Sequence, residues 1–214
     1  MTTTMMKNYP VLSGALFMML LANSPAEPNK NYPAIEDTSY VETNGDRVIR
    51  LSVDVAASRD EIWRAFTTAD GWKSFGVAFA EVEMKMGGII ETSYNPKAQV
   101  GSPDNIKNEI VAYIPGRMMA IRCVQAPGDF KHKQEFFSTS TVFELVPAEK
   151  QRTRILVTAV GYRPGEAFDD LFQKFRWGNA YTLEKLRARF EKTATTSPSD
   201  SKSQQELQPE KRIQ

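Results

Sequence analysis

Few side chains in this sequence could carry acid–base, nucleophilic or metal chemistry. His132, in "DFKHKQEFF", is the only histidine, and Cys123 is the only cysteine. One of each cannot assemble a zinc or copper site of the usual nitrogen and sulfur kind, so no metal is expected. A serine–histidine–acid arrangement would have to draw on His132, and there is no Gly-x-Ser-x-Gly turn. His132 lies in a very polar stretch and is expected to be solvated. Glu91, in "IIETSY", is an acid within a strand pattern. Pointing inward, it would be desolvated, its pKa would rise, and it could act as a general acid or base. Alternation puts Ile90, Thr92 and Tyr94 on one face and Ile89, Glu91 and Ser93 on the other. The tyrosine face is expected inward, which leaves Glu91 at the surface. Asp169 and Asp170 are adjacent in a helical stretch, so their side chains diverge onto a solvated face. Cys123 alternates with Met119 and Ile121 and is expected to face the core as an inert thiol. An exposed Cys123 would instead suggest a covalent dimer. No catalytic residue and no tightly bound cofactor is assigned.

Binding is the chemistry that the remaining pattern suggests. In "PGEAFDDLFQKFRWGNAYTLEKLRARFEK", Phe168, Leu171, Phe172, Phe175, Gly178, Asn179, Thr182, Leu183, Leu186 and Phe190 share one face of a long helix. Such a face needs a concave sheet to cover it. Gly178, Asn179 and Thr182 interrupt it with small and polar groups, and a mid-helix glycine costs about 1 kcal/mol relative to alanine. Either a strand backbone approaches Gly178 closely, or the helix borders a cavity with Asn179 and Thr182 as its polar fixtures.

The elements that would position this helix can be read in order. "YVETNGDRVIRLSVDV" holds an Asn44-Gly45 turn between β-rich runs, a hairpin signal. Ser58 and Glu61 form a capping-box spacing before a helix with Ile62, Ala65 and Phe66 on one stripe. "GVAFAEVEM", "IIETSY", "EIVAYI", "MMAIRCV", "STSTVFELV" and "RTRILVTAV" then alternate as strands with mostly short connections. Short connections imply antiparallel neighbours. The expected class is α+β: an antiparallel sheet of about six to seven strands, with helices gathered on one face. Strand parity gives the cavity-facing residues as Tyr94, Tyr113, Ile121, Thr141, Phe143 and Val157, opposite Phe172, Phe175, Asn179 and Thr182. Parity fixes a face and not a cavity, so about half of these should be ordinary core.

The ends of the chain differ from its middle. Residues 1–26 carry one charged side chain, Lys7, followed by the apolar run "VLSGALFMMLLA" and the small residues Ser24 and Ala26. This is the layout of a cleaved secretory signal peptide, and the run is too short to span a bilayer comfortably. An uncleaved anchor is the alternative. Residues 27–39 are expected as a linker, 40–192 as the folded domain and 193–214, poor in apolar residues, as a disordered tail. Without residues 1–26 the 27 basic residues lose one, leaving 26 against 26 acidic residues. A balanced chain has no electrostatic reason to seek nucleic acid or anionic lipid. The expected location is secreted or periplasmic, without stable membrane insertion once the signal is removed.

Three motifs resemble a known family. "AASRDEIWRAFTTADGWKSF" is similar to the opening segment of the START-like, or SRPBCC helix-grip, superfamily, closest to the branch named for the activator of heat-shock protein 90 ATPase. "EMKMGGIIETSY" resembles the family's strand–Gly-Gly–strand hairpin, and "IVAYIPGRMMAIRCV" its following strand pair. The resemblance covers Arg47 to Lys192. The long helix departs from it: where the family has a Gly-Trp pair followed by leucines at +4 and +7, this chain has Arg176-Trp177, Tyr181 and Glu184. The resemblance implies a curved sheet gripping the C-terminal helix around a cavity, with two short helices closing one end. It places Trp72 and Phe75 near the cavity mouth, and Trp63 against the core or sheet.

Three function classes follow. The first is an exported monomeric domain that binds a small apolar or amphipathic molecule. The second is an enzyme of the same fold, cyclase-like or hydratase-like, which would need a buried titratable group in the cavity. The third is a protein-interaction module using the outer sheet, which a large exposed apolar patch would favour.

Overall fold

In the computed structural model, residues 32–149 and 151–196 are described. The expected signal peptide and almost all of the expected tail lie outside them. The sheet is a curved, open, nine-stranded antiparallel array. Its strands are β1 (Glu36–Asp37), β2 (Tyr40–Val41), β3 (Arg47–Val55), β4 (Phe79–Val82), β5 (Ile89–Ser93), β6 (Ile106–Ile114), β7 (Met118–Gln125), β8 (Ser140–Ala148) and β9 (Arg152–Tyr162). The order is β1-β3-β9-β8-β7-β6-β5-β4, with β2 also pairing β3. The helices are α1 (Arg59–Thr67), α2 (Ala69–Ser74), α3 (Lys133–Phe137) and α4 (Glu166–Thr196).

Local chemistry explains the elements that matter for the site. Ser58 caps α1 by accepting from the Glu61 N–H, while the Glu61 carboxylate accepts from the Ser58 N–H at 2.8 Å. The Ser58 hydroxyl, donating to Glu61 Oε2 at 2.7 Å, and then the Ser58 N–H hold the Glu61 carboxyl below the usual range. Thr68 ends α1 in an extended conformation and caps α2 by accepting from the Gly71 N–H at 3.0 Å. Only glycine fits at 71, because a Cβ there would lie 2.3 Å from the Ala65 carbonyl oxygen. The tight α1–α2 corner turns Trp72 inward, and its indole N–H donates to the Phe66 carbonyl at 2.8 Å. Gly161, at φ +93, lets the end of β9 pass the Ser138 carbonyl, which a Cβ would meet at 2.6 Å.

The long helix lies across β3 and β9. Phe168, Leu171, Phe172, Leu183 and Leu186 are buried there, as is Ala180. Complete burial of each leucine contributes roughly 1.5–3 kcal/mol. Residues 32–39 are not a linker among the described residues. Ile35 is buried in the main core, and β1 pairs with β3 through Glu36–Ser52 and Asp37–Leu51. Tyr32 sits edge-on to Tyr181, whose ring stacks on Trp177 at 5.5 Å. The polar, proline-containing stretch reads as a connector because its partners, Ser52 and Leu51 on β3 and Arg176 and Tyr181 on α4, lie outside the local sequence.

Two expectations about titratable residues are corrected. Glu91 does lie on the opposite face from Thr92 and Tyr94, but it is only 5% exposed. The segment between β5 and β6 folds over it, and Glu91 Oε1 accepts from the Gly101 N–H at 2.8 Å and from Asn105 Nδ2 at 2.7 Å. Lys107 Nζ stands 3.8 Å away. His132 is not solvated. It takes a left-handed conformation at the N-terminus of α3, and its partly buried ring places Nε2 3.4 Å from Asp170 Oδ2. Asp169 and Asp170 diverge as expected and both are paired, Asp169 with Arg47 and Asp170 with Lys131 at 2.8 Å. Lys131 holds the Asp170 carboxyl below its ordinary value.

Candidate functional site

The sheet and the first half of α4 enclose a cavity, with α2 and α3 at its margins. From α2 comes Trp72, and Val77 follows it. The sheet supplies Thr92 from β5, Ile106 and Asn108 from β6, Ile121 and Cys123 from β7, and Ser140, Thr141 and Phe143 from β8. Tyr94 and Thr139 lie just outside strand ends, Phe136 is on α3, and Phe175 and Asn179 are on α4. Register explains several of these: Asn108 sits opposite Cys123, and Ile121 opposite Thr141, so each pair shares a face.

The aromatic walls are interlocked. Phe136 stacks on Phe175 with centroids 4.5 Å apart and planes 14° apart. Phe143 packs on Phe66 at 4.8 Å, and Trp72 meets Phe75 edge-on at 5.7 Å. Such pairs contribute about 0.5–1.5 kcal/mol beyond their buried area.

Of the residues expected at the cavity, the structure brings together Trp72, Tyr94, Ile121, Thr141, Phe143, Phe175 and Asn179. Phe75 is one layer back, against Phe66 and Trp72. Val157 is core, paired with Leu51 and Phe143. Phe172 packs edge-on against Tyr162, beneath the Arg47 guanidinium. Thr182 is buried and donates its hydroxyl to the Gly178 carbonyl at 3.0 Å. Tyr113 packs against the core near the far end of β6. Gly178 admits no strand: a Cβ built there would meet nothing within 4 Å.

Sequence reasoning missed Asn108 and Ile106 because the strand reads only from Glu109, whereas β6 begins at Ile106 and is also irregular. Its pairing with β7 shifts register between Ile110 and Ala112 and again between Lys107 and Asn108. Counting by twos back from Tyr113 therefore places Asn108 on the wrong face. Phe136 was missed because the α3 segment reads as polar, whereas Thr139 and Ser140 lie within the strand run "STSTVFELV" but were not assigned to the cavity. The paired phenylalanines in "QEFF" were the available signal.

The electrostatics of the cavity are neutral. No Asp, Glu, Lys, Arg or His is among its lining residues. Burial pushes the Cys123 thiol up to about 12, so it stays protonated at neutral pH and donates to the Gln125 carbonyl at 3.1 Å. Polarity comes from hydroxyls and two carboxamides. Asn108 is 7% exposed and Asn179 5%, and among the described residues neither carboxamide has a hydrogen-bond partner. Their polar atoms open onto the cavity: among the described residues the only fully buried side-chain nitrogen or oxygen without a hydrogen-bond partner is His132 Nε2. The cavity volume is about 40 Å³. That is room for a few waters at roughly 10–15 Å³ each.

Residues 56–191 match the family model described as "Activator of Hsp90 ATPase homolog 1-like protein". A search of curated proteins finds no match. Solved structures share the fold. The solution structure of the Aha1 dimer from Colwellia psychrerythraea aligns with a TM-score of 0.51 and 19% identity over 67% of this chain and 96% of that one. CalU16 from Micromonospora echinospora aligns at 0.51 and 17%, over 73% and 83% of the two chains. Protein Ms6760 from Mycobacterium smegmatis aligns at 0.54 and 15%, over 72% and 94%.

Proposed function

Because the chain belongs to the activator of Hsp90 ATPase homolog 1-like family, within the START-like helix-grip fold, we propose that it binds a small molecule between its sheet and α4. The observation that carries this reading is the cavity itself, with aromatic walls and two asparagine carboxamides that the protein leaves unpaired. Ordinary core packing would place apolar side chains at both positions.

At about 40 Å³ the cavity is closed to anything much larger than water, whereas ligand pockets run to roughly 300–1,000 Å³. Binding therefore requires a wall to move. The segment 126–137 is the wall suited to it. It contributes Phe136 to the cavity, and Pro127 and Asp129 to an open groove of about 380 Å³ outside. Tyr94 and Ile106 line both spaces and separate them. The helix within this segment, α3, has five residues and no side-chain cap, and the contacts its displacement must break are the Phe136–Phe175 stack and the Lys131–Asp170 pair. Displacing it would join groove and cavity.

Catalysis in the same cavity is the weaker reading, because the lining offers no acid or base that titrates near neutrality. Residues 1–26 support export, so the ligand would be met in a secreted or periplasmic setting. The test is native mass spectrometry of the protein purified from its own host, with denaturing analysis of anything released. A stoichiometric small molecule, bound to a chain that begins at Glu27, is the expected result. A bare mass, with no binding of small aromatic probes added afterwards, would defeat the reading.

A further inference from the structure

The two carboxamides in the cavity differ from the structural asparagine of this fold. Asn105 is 1% exposed, and its Nδ2 donates both to Glu91 Oε1 and to the Gln99 carbonyl, at 2.7 Å each. That side chain is committed to holding a loop. Two of the buried threonines nearby are committed too: Thr139 donates to the Phe136 carbonyl at 2.8 Å and Thr182 to the Gly178 carbonyl. Asn108 and Asn179 are nearly as buried, yet hold no such bond to the described residues. One comes from the sheet and the other from α4, so they flank the cavity from two walls. A carboxamide can donate two hydrogen bonds and accept two. Between them, the pair presents donors and acceptors to whatever fills the space.

The rest of the lining says what that cannot be. A charged ligand would find no counter-charge among the lining residues, and burying an unpaired charge is strongly unfavourable. The buried carboxylate of Glu91 is on the opposite face of β5, with its own partners. A wholly apolar ligand would cover the carboxamides without offering them a hydrogen bond.

Resting on the binding reading above, we propose that the ligand is an uncharged ring-bearing molecule with a neutral donor–acceptor group, such as a hydroxyl or carboxamide, held between Asn108 and Asn179. Its apolar body lies against Trp72, Phe143 and Phe175. Fatty acids, other carboxylates and amines are discriminated against.

Four probes with one ring system test this: naphthalene, 2-naphthol, 2-naphthoate and 2-naphthylmethylamine, titrated into the mature protein and followed by amide NMR. The cost of opening the cavity is common to all four and cancels from their ratios. The expected result is that 2-naphthol binds about tenfold more tightly than each of the others, the scale of one well-made hydrogen bond. Asn108→Leu and Asn179→Leu should each remove that preference, weakening 2-naphthol and tightening naphthalene, which no longer strands a carboxamide. The two positions are on different elements, so one variant remains informative if the other fails to fold. If neither folds, the wild-type ratios decide. Equal or tighter binding of the carboxylate or the amine, or a hydroxyl preference that survives both substitutions, overturns the inference alone. Failure of every probe, naphthalene included, removes the binding reading and the inference together.

Discussion

Phe136 and Phe175 lie face to face, with centroids 4.5 Å apart and planes 14° apart, and this stack fastens α3 to α4 across the cavity. It joins the shortest helix to the longest. Phe136→Ala should therefore do two things. Stability should fall by about 3 kcal/mol, toward the lower end of the range for truncating a buried aromatic. The cavity should also open, giving a hydrophobic dye access to the folded state. Urea unfolding measures the first effect and dye fluorescence below the transition the second. Loss of stability without added dye binding would mean that α3 is not the movable wall.

Gly178 is the simplest site to improve. A Cβ there meets nothing within 4 Å, and the residue lies mid-helix in α4. Gly178→Ala should raise stability by about 0.5–1 kcal/mol through helix propensity and a less flexible unfolded chain. A lower thermal midpoint would show that space beside α4 is needed for the native packing.

The loop over β5 depends on Glu91. Its Oε1 accepts from the Gly101 N–H and from Asn105 Nδ2, with Lys107 nearby. Glu91→Gln keeps the shape and removes the charge, and should cost about 1–2 kcal/mol. Amide hydrogen exchange should rise at Gly101 while β8 and β9 stay protected. Uniform exchange changes across the domain would contradict a local role.

Cys123 should be inert when folded. Its thiol is buried and its pKa is pushed from 9.0 to about 12 by that burial. Iodoacetamide at pH 8 should modify it only in denaturant. The linkage has a definite sign: unfolding allows ionisation at lower pH, so this stabilisation is complete below about pH 9 and is lost as pH rises toward 12. Cys123→Ala should flatten the alkaline part of the stability–pH curve. Rapid labelling of the native protein would place the thiol at the surface.

The N-terminal strap should matter more than its composition suggests. Asp37 Oδ2 accepts from Arg176 Nε at 2.6 Å, and Ile35 is buried. A chain beginning at Tyr40 should lose several kcal/mol against one beginning at Glu27: about 1.5–3 kcal/mol for Ile35, and more for the severed ion pair. Asp37→Asn should show part of that loss. Equal urea midpoints for the two chains would return residues 32–39 to the status of a connector.

Much of this protein can be read from one-dimensional pattern. The capping box at Ser58 and Glu61, the Asn44-Gly45 turn, the period-2 strands and the stripe on α4 are local signals. They act within a few residues, and each specifies its element whatever surrounds it. Together with the family resemblance they give the antiparallel sheet, the long helix and their α+β arrangement. What they cannot carry is any fact that depends on an interruption or on a distant partner. β6 begins three residues before the alternating run, and its extra residue at Val111 puts Asn108 on a face that counting by twos from Tyr113 does not give. Glu91 is buried although its parity points outward, because a loop ten residues further on closes over it. The strap at 32–39 becomes part of the fold when β3 pairs with it and α4 brings Arg176 and Tyr181 to it. The cavity is likewise a property of the assembled walls. Sequence identifies side chains that can face one another, and only packing decides whether space is left between them.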